Sequence, residues 1–337
     1  MLVDAARSER LVAGIAVTTI ALAALTYAAF PLFPAILLAA TAHALASCVL
    51  GPAIAAISLG LVGHAAIGER LGRNSRFASI GNGFAAALMG GFGYFFLPRS
   101  VFIVTAILLI PTLFALRRIA PSEINTVQAH GGQSGPDRRA APFRSLLKQR
   151  PLLLLACCVG LFHLANAAML PLMGGALTSH LPNWATVLIA VCIVVPQFIV
   201  ALIAPWIGRR AHIWGRRPIL LAGFATLALR GMLFAAFTDP AVIVAVQILD
   251  GVSASVLGVM VPLIVADITR GTGRFNSSLG VVGMVAGGGA AMSTAFAGAI
   301  SDAFGNQSAF LGLGAVAILA AAAAFLFIPE TRPEARA

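Results

Sequence analysis

The stretch VIVAVQILDGVSASVLGVMVPLIVA, Val242–Ala266, decides the fold. It is an apolar run interrupted by one carboxylate, Asp250. A run of this length crosses a hydrocarbon layer about 30 Å thick as a helix. Asp250 lies ten residues after Pro240, hence about 15 Å along a helix rising about 1.5 Å per residue. That is close to the middle of the layer. A charge there costs roughly 2.5–3.5 kcal/mol on insertion scales, so it faces a wet cavity or a partner. Asp250 reads as a proton or substrate site, with a structural ion pair between helices as the alternative.

The rest of the chain is of the same kind. Of its 337 residues 60% are hydrophobic and 10% charged, against about a quarter charged in a soluble domain. Mean hydropathy is +0.97. Backbone polar groups in lipid must be satisfied within each crossing segment, and the alternation of a membrane barrel is absent. An all-α multi-pass membrane protein is expected. The net charge of +11 then reflects the bias of cytoplasmic loops towards arginine, and no nucleic-acid partner is expected. The four cysteines, Cys48, Cys157, Cys158 and Cys192, fall in apolar runs without metal or disulfide spacing and read as small core residues. Residues 1–9 are too polar for a signal peptide.

Ten spans are read, at roughly 10–29, 31–63, 77–97, 100–119, 152–174, 184–207, 218–237, 240–267, 278–300 and 306–328. Pro52, Pro111, Pro171, Pro196 and Pro262 lie inside spans, where each removes a backbone donor and favours a kink. With both termini cytoplasmic, 20 of the 22 Lys and Arg residues fall on the inner side, the exceptions being Arg99 and Arg230. That imbalance sets the orientation in a bacterial-type inner membrane. Trp206 and Trp214 then sit at the inner interface and Trp184 at the outer. Residues 120–150, including PSEINTVQAHGGQSGPDRR, are polar and rich in Gly and Pro, and read as a flexible cytoplasmic linker. Arg144 to Arg150 reads as a short basic helix on the inner leaflet.

The parts on either side of the linker resemble one another. SCVLG at Ser47–Gly51 matches ASVLG at Ala254–Gly258, and RFASIG at Arg76–Gly81 returns as RFNSSLG at Arg274–Gly280. Both pairs belong to a helix running inward, a basic loop, and a glycine-rich helix running outward. Equal direction makes this a parallel repeat. In that register His43 stands 207 residues before Asp250, at a similar depth. Two titratable groups at equivalent positions suggest a shared central cavity; a neutral histidine bonded to a neighbouring helix is the alternative.

Two basic stretches carry a recognisable pattern. Met1–Arg10 reads MLVDAARSER, and Gly208–Pro218 reads GRRAHIWGRRP. They resemble the cytoplasmic motif of the major facilitator superfamily: a glycine, a small or apolar stretch, an aspartate, then Gly-Arg-Arg or similar. Asp4 matches the motif aspartate, Arg7 stands where the later glycine would be, and Arg10 follows. In the second copy Gly208, Gly215, Arg216 and Arg217 match, and His212 takes the aspartate's place. Pro329-Glu330-Thr331-Arg332 resembles the family's terminal Pro-Glu-Thr signature. The resemblance covers the whole chain and implies a two-bundle all-α fold. The family has twelve helices, so the first span here corresponds to its third. The implied domains are an incomplete four-span bundle at 1–119, the linker at 120–150 and a six-helix bundle at 151–337.

What the resemblance implies is a secondary active transporter, proton-coupled, exporting small amphipathic compounds by rocking of its two halves. Asp250 would exchange the proton, with His43, His163 and Asn166 along the path. His163 and Asn166 share a helix face, which Met169 and Met173 continue. Arg230, on the helix before Asp250, is expected to pair with it. A monomer in the bilayer with a small-molecule substrate is expected. Nucleotide fingerprints, metal-ligand runs and a nucleophile elbow are missing, so neither a cofactor nor enzymatic chemistry is expected. The rival reading is a non-transporting binding or scaffold protein, or an inactive fragment.

Overall fold

The apolar runs become helices. The computed structural model describes residues 8–97, 99–132, 146, 148–180 and 184–332. In chain order the helices are α1 (Glu9–Ala29), α2 (Phe33–Phe95), α3 (Ser100–Arg118), α4 (Thr126–Ala129), α5 (Arg150–Asn166), α6 (Met169–His180), α7 (Ala185–Trp214), α8 (Arg216–Ala236), α9 (Pro240–Ile268) and α10 (Phe275–Phe327). A 3-10 turn at Pro121–Glu123 precedes α4. Helix starts follow local chemistry: the Ser8 hydroxyl accepts from Leu11 N–H at α1, and proline occupies the first turn of α2 and of α5, where its missing donor is not needed.

Among the described residues, eight segments are long and apolar enough to cross a membrane, and two of them bend at a glycine. In α2 the bend is Gly63 (φ 67°, ψ −177°) and in α10 it is Gly305 (φ 83°). Each bend divides one segment into two apolar arms, so eight segments supply ten arms, in keeping with the ten spans read from hydropathy. The turn at Gly63 is sharper than expected. Residues 64–76 were read as a loop, but they are helical and the direction changes at one residue. Gly63 can take the left-handed backbone that a side chain would resist, and Ala65, Ala66, Glu69, Arg70 and Leu71 favour helix directly after it. The repeat-related segment opens instead into a turn, with positive φ at Gly271 and Gly273.

The chain divides into two compact units. The first comprises Met1–Ile67, Gly81–Ala141 and Thr269–Gly280. In it, Ala13, Ala53 and Ala56 pack with Ile57, and Ala16 and Ala46 with Ile20, so α1 and α2 approach on small side chains. Arg10 donates from Nη1 to the carbonyl of Ile119, 2.5 Å away. Ala120–Gly132 is folded onto this unit, unlike a free tether. Ile124 and Ala129 are buried in the α1–α2 core, Asn125 N–H donates to Gly60 O at 3.0 Å, and His130 Nε2 lies 2.9 Å from Glu9 Oε1. The carbonyls of His130 and Gly131 accept from Phe275 N–H and Gly271 N–H. The expected basic helix at Arg144–Arg150 falls mostly outside the described residues.

The second unit comprises Gly68–Ile80, Pro142–Ile268 and Val281–Ala337. Here the helical residues 68–80 cross α7 on glycine. A Cβ at Gly68 would stand 2.8 Å from Gly208 O, one at Gly72 would stand 2.5 Å from Ala204 O, and one at Gly208 would meet the carbonyl of Gly68. Arg76 Nε donates to Ala201 O at 2.7 Å beside this crossing. Cys158 and Cys192 are buried, but Cys48 and Cys157 are exposed. The reading of all four as core residues is corrected for those two, whose helices turn them to the apolar surface.

Candidate functional site: a buried charge cluster and a basic rim

Both parts of the site lie in the second unit. The span read as 152–174 is two helices, α5 and α6, separated at Ala167 and Ala168. Pro171 explains the break, because it has no N–H to return to the carbonyl of Ala167. Ala167 N–H still closes the end of α5 on His163 O at 3.0 Å. Ala168 N–H would be left over, and it donates 2.9 Å to Ser293 Oγ on α10, fully buried. Freed backbone groups in a membrane helix need such a substitute. The break leaves Asn166 as the last residue of α5.

Asn166 meets two charges there. Arg230 on α8 is 1% exposed. Its Nη1 lies 2.5 Å from Asp250 Oδ1 and 2.5 Å from Asn166 Oδ1. The Asp250 side chain keeps 25% of its surface. One guanidinium nitrogen therefore ties α5, α8 and α9 together, with a carboxylate open on one side. Arg230 also lies over the Phe234 ring, 5.3 Å from its centroid. The helices are held close on either side of the pair. A Cβ at Gly231 would stand 2.8 Å from Gly314 Cα, and one at Gly251 would stand 2.8 Å from Pro196 O. Gln247, one turn before Asp250, is fully buried.

The expected Arg230–Asp250 pair is present. Asn166, expected along the path of the proton, binds Arg230 directly. His163 is half-buried, with its ring edge-on to Phe162 at 5.6 Å, and is not bonded into the cluster. Met169 and Met173 are buried. His43 is a half-buried residue of α2 in the first unit. Ser293 and Gln247 were not singled out from sequence. No group of His, Cys, Asp or Glu placed to hold a metal occurs among the described residues.

The second copy of the basic motif builds the other part. The stretch 208–218 was read as a loop, yet α7 runs to Trp214 and α8 starts at Arg216, so Gly215 alone (φ 90°) makes the turn. A Cβ on Gly215 would collide with the Glu330 carboxylate. Glu330 accepts from Arg216 N–H at 2.8 Å and Arg217 N–H at 3.1 Å, two of the donors that the first turn of α8 leaves unmet. It also accepts from the N–H groups of Thr331 and Arg332. The buried Arg216 side chain bonds Asp267 at 2.9 Å and Ala211 O at 2.8 Å. Asp267 supplies the acid that His212 does not. Arg217 and Arg332 reach the carbonyls of Phe325 and Ile213. Thus Gly208, Gly215, Arg216 and Arg217 are placed as a structural joint. Asp4 and Arg7, in the first copy, lie outside the described residues.

Burial alone would lift the Glu330 carboxyl above its usual value near 4.5. The backbone donors of Arg216, Arg332, Arg217 and Thr331 outweigh that and hold it lower. A carboxyl depressed on folding contributes stability above its unfolded pKa, and this is lost as pH falls through the folded value. Glu330→Gln is expected to lower stability by about 0.5–1 kcal/mol at neutral pH, the low end for a helix cap because the group is exposed. Thermal unfolding measured from pH 7 down to below 4.5 should show the difference from the parent shrinking; a constant gap would refute the assignment.

These features agree with what the chain is similar to. The Major Facilitator Superfamily sequence profile matches residues 2–211 and 183–337. An uncharacterized MFS-type transporter of Mycobacterium tuberculosis (strain CDC 1551 / Oshkosh) is 41% identical over 293 residues, covering 86% of this chain and 69% of the relative. Its counterpart in strain ATCC 25618 / H37Rv shows the same identity and coverage. Among solved structures, the human organic anion transporter MFSD10 (TETRAN) has the same fold, with TM-score 0.69 over 96% of this chain and 78% of that one, at 16% identity. An all-α, multi-pass architecture and matches along the whole length lead to one conclusion: the chain belongs to the Major Facilitator Superfamily of transporters.

Proposed function

We propose that this protein is a proton-coupled secondary transporter that exports small amphipathic compounds, with Asp250 as the proton-exchanging group. The observation that carries the reading is the Asp250 carboxylate, partly open and bonded to a fully buried Arg230. Ionised, Asp250 balances the guanidinium. Protonated, it no longer does, and the cluster that joins α5, α8 and α9 is weakened. A proton is thereby linked to the fit between three helices beside an interrupted one. Broken helices near mid-membrane are where secondary transporters place substrates and ions. Asn166 holds a bond to Arg230 beside the carboxylate, and His163, three residues before it on α5, is taken as the next group on the proton's path; His43, in the first unit, is taken as a second titratable group of the transport cycle. The arginine bias supports cytoplasmic termini, and the same reading takes the protein as a monomer.

The test is proton-coupled flux in vesicles. Asp250→Asn keeps size and polarity but cannot exchange a proton, so proton flux driven by substrate is expected to fall at least tenfold while substrate binding persists. Unchanged coupling would remove Asp250 from the mechanism. Ligand binding without flux, in the parent as in the variant, would favour a binding or scaffold role.

A further inference from the structure

The end of α7 carries a feature that the transport reading does not use. Trp206, Arg210 and Trp214 are spaced four residues apart and so lie along one helix face. The two indole rings meet edge-to-face at 84° with centroids 5.0 Å apart, and the Arg210 guanidinium stands 5.5 Å from the centre of the Trp214 ring. Trp206 is 41% and Trp214 51% exposed. That exposure is fixed by the other face of the helix, where Ala204 and Gly208 meet Gly72 and Gly68 too closely for a Cβ on any of the three glycines. The aromatic face is therefore turned outward from a helix apolar enough to lie in a membrane.

Among the described residues, no carboxylate pairs with the charge on this face. The described ion pairs are Glu9–His130, Arg216–Asp267 and Arg230–Asp250. None uses Arg209 or Arg210. Arg332 adds a third cation nearby, through its bond to Ile213 O. Exposed Leu202 and Ile213 extend the face with apolar surface. A cation pair between two indoles, with aliphatic side chains at either end, matches an anion joined to hydrocarbon. Guanidinium groups bind phosphate through paired hydrogen bonds, and indole rings settle at headgroup depth.

We propose that Trp206, Arg209, Arg210 and Trp214 form a binding site for the headgroup phosphate of one anionic phospholipid, in the leaflet that meets the arginine-rich end of the protein. A phospholipid fits this position because the site lies on the outer face of a membrane helix, where the acyl chains have surface to follow.

Tryptophan emission reads the site directly. The chain has three tryptophans, so Trp184→Phe leaves only the two at the site. The full chain carrying that change is reconstituted into vesicles of phosphatidylcholine containing increasing fractions of brominated phosphatidylglycerol or of brominated phosphatidylcholine. Quenching by the anionic lipid is expected to saturate at a fraction on the order of tenfold lower. Arg209→Gln/Arg210→Gln should bring the two curves together, and Arg99→Gln should leave them apart. High salt should narrow the gap in the protein with both arginines intact, which tests the idea even if the double variant does not fold. Equal quenching by the two lipids, or a preference that survives the double substitution, would overturn the proposal.

Discussion

Asp250→Leu is expected to lower stability by about 3 kcal/mol, within the range for removing one partner of a buried ion pair. Arg230 is the reason. It is 1% exposed, so without Asp250 its charge stays in an apolar interior with the Asn166 carbonyl and the Phe234 ring but no counter-charge. That remaining bond sets the effect at the low end of the roughly 3–5 kcal/mol range. Removing both charges should cost far less, because Arg230→Met/Asp250→Leu buries no unpaired charge and leaves only the neutral Asn166 amide to find another partner. Thermal unfolding of the parent, both single variants and the double in one detergent provides the coupling between the sites. If Asp250→Leu melts with the parent, or the double is no better than the single, the pair does not hold the three helices together.

The second large effect comes from a glycine. Gly208→Val is expected to destabilise by about 3 kcal/mol, the upper end for overpacking. The added side chain would meet the carbonyl oxygen of Gly68 and the Glu69 backbone. A side chain in that position could rotate away; a helix backbone has to be pushed out bodily. Gly287→Ala is the control, since nothing lies within 4 Å of its Cβ position, and the change should be neutral or slightly stabilising. Equal melting of the two variants would show that the α7 crossing is not the close contact described.

The sequence was most informative where a single residue violates its surroundings. Asp250 and Arg230 are charges in apolar runs on successive helices, and a pair could be read from that alone. The class of fold followed from hydropathy, and the family from short motifs in order. Asn166 was noticed as a polar residue on the face of His163, but its contact with Arg230 was not, because that depends on how α5 ends. Pro171 carried a signal for that ending, four residues beyond Ala167, but was read only as a kink. Ser293 carried none: it serves Ala168 across 125 residues, and only packing of α10 brings it there. The segment 120–132 misled for a related reason. Its polar composition describes a surface strand of chain well enough, yet two apolar residues, Ile124 and Ala129, suffice to dock it on α1 and α2.

Glu330 has a consequence for the order in which the protein is made. It caps a helix that begins 114 residues earlier. At about 5–20 residues per second, the ribosome reaches residue 330 roughly ten seconds after residue 216. Throughout that interval the first turn of α8 is in place without its acceptor, and water at the membrane surface must serve instead. The joint at Gly215 can therefore close only late in synthesis, after α9 and α10 have been translated.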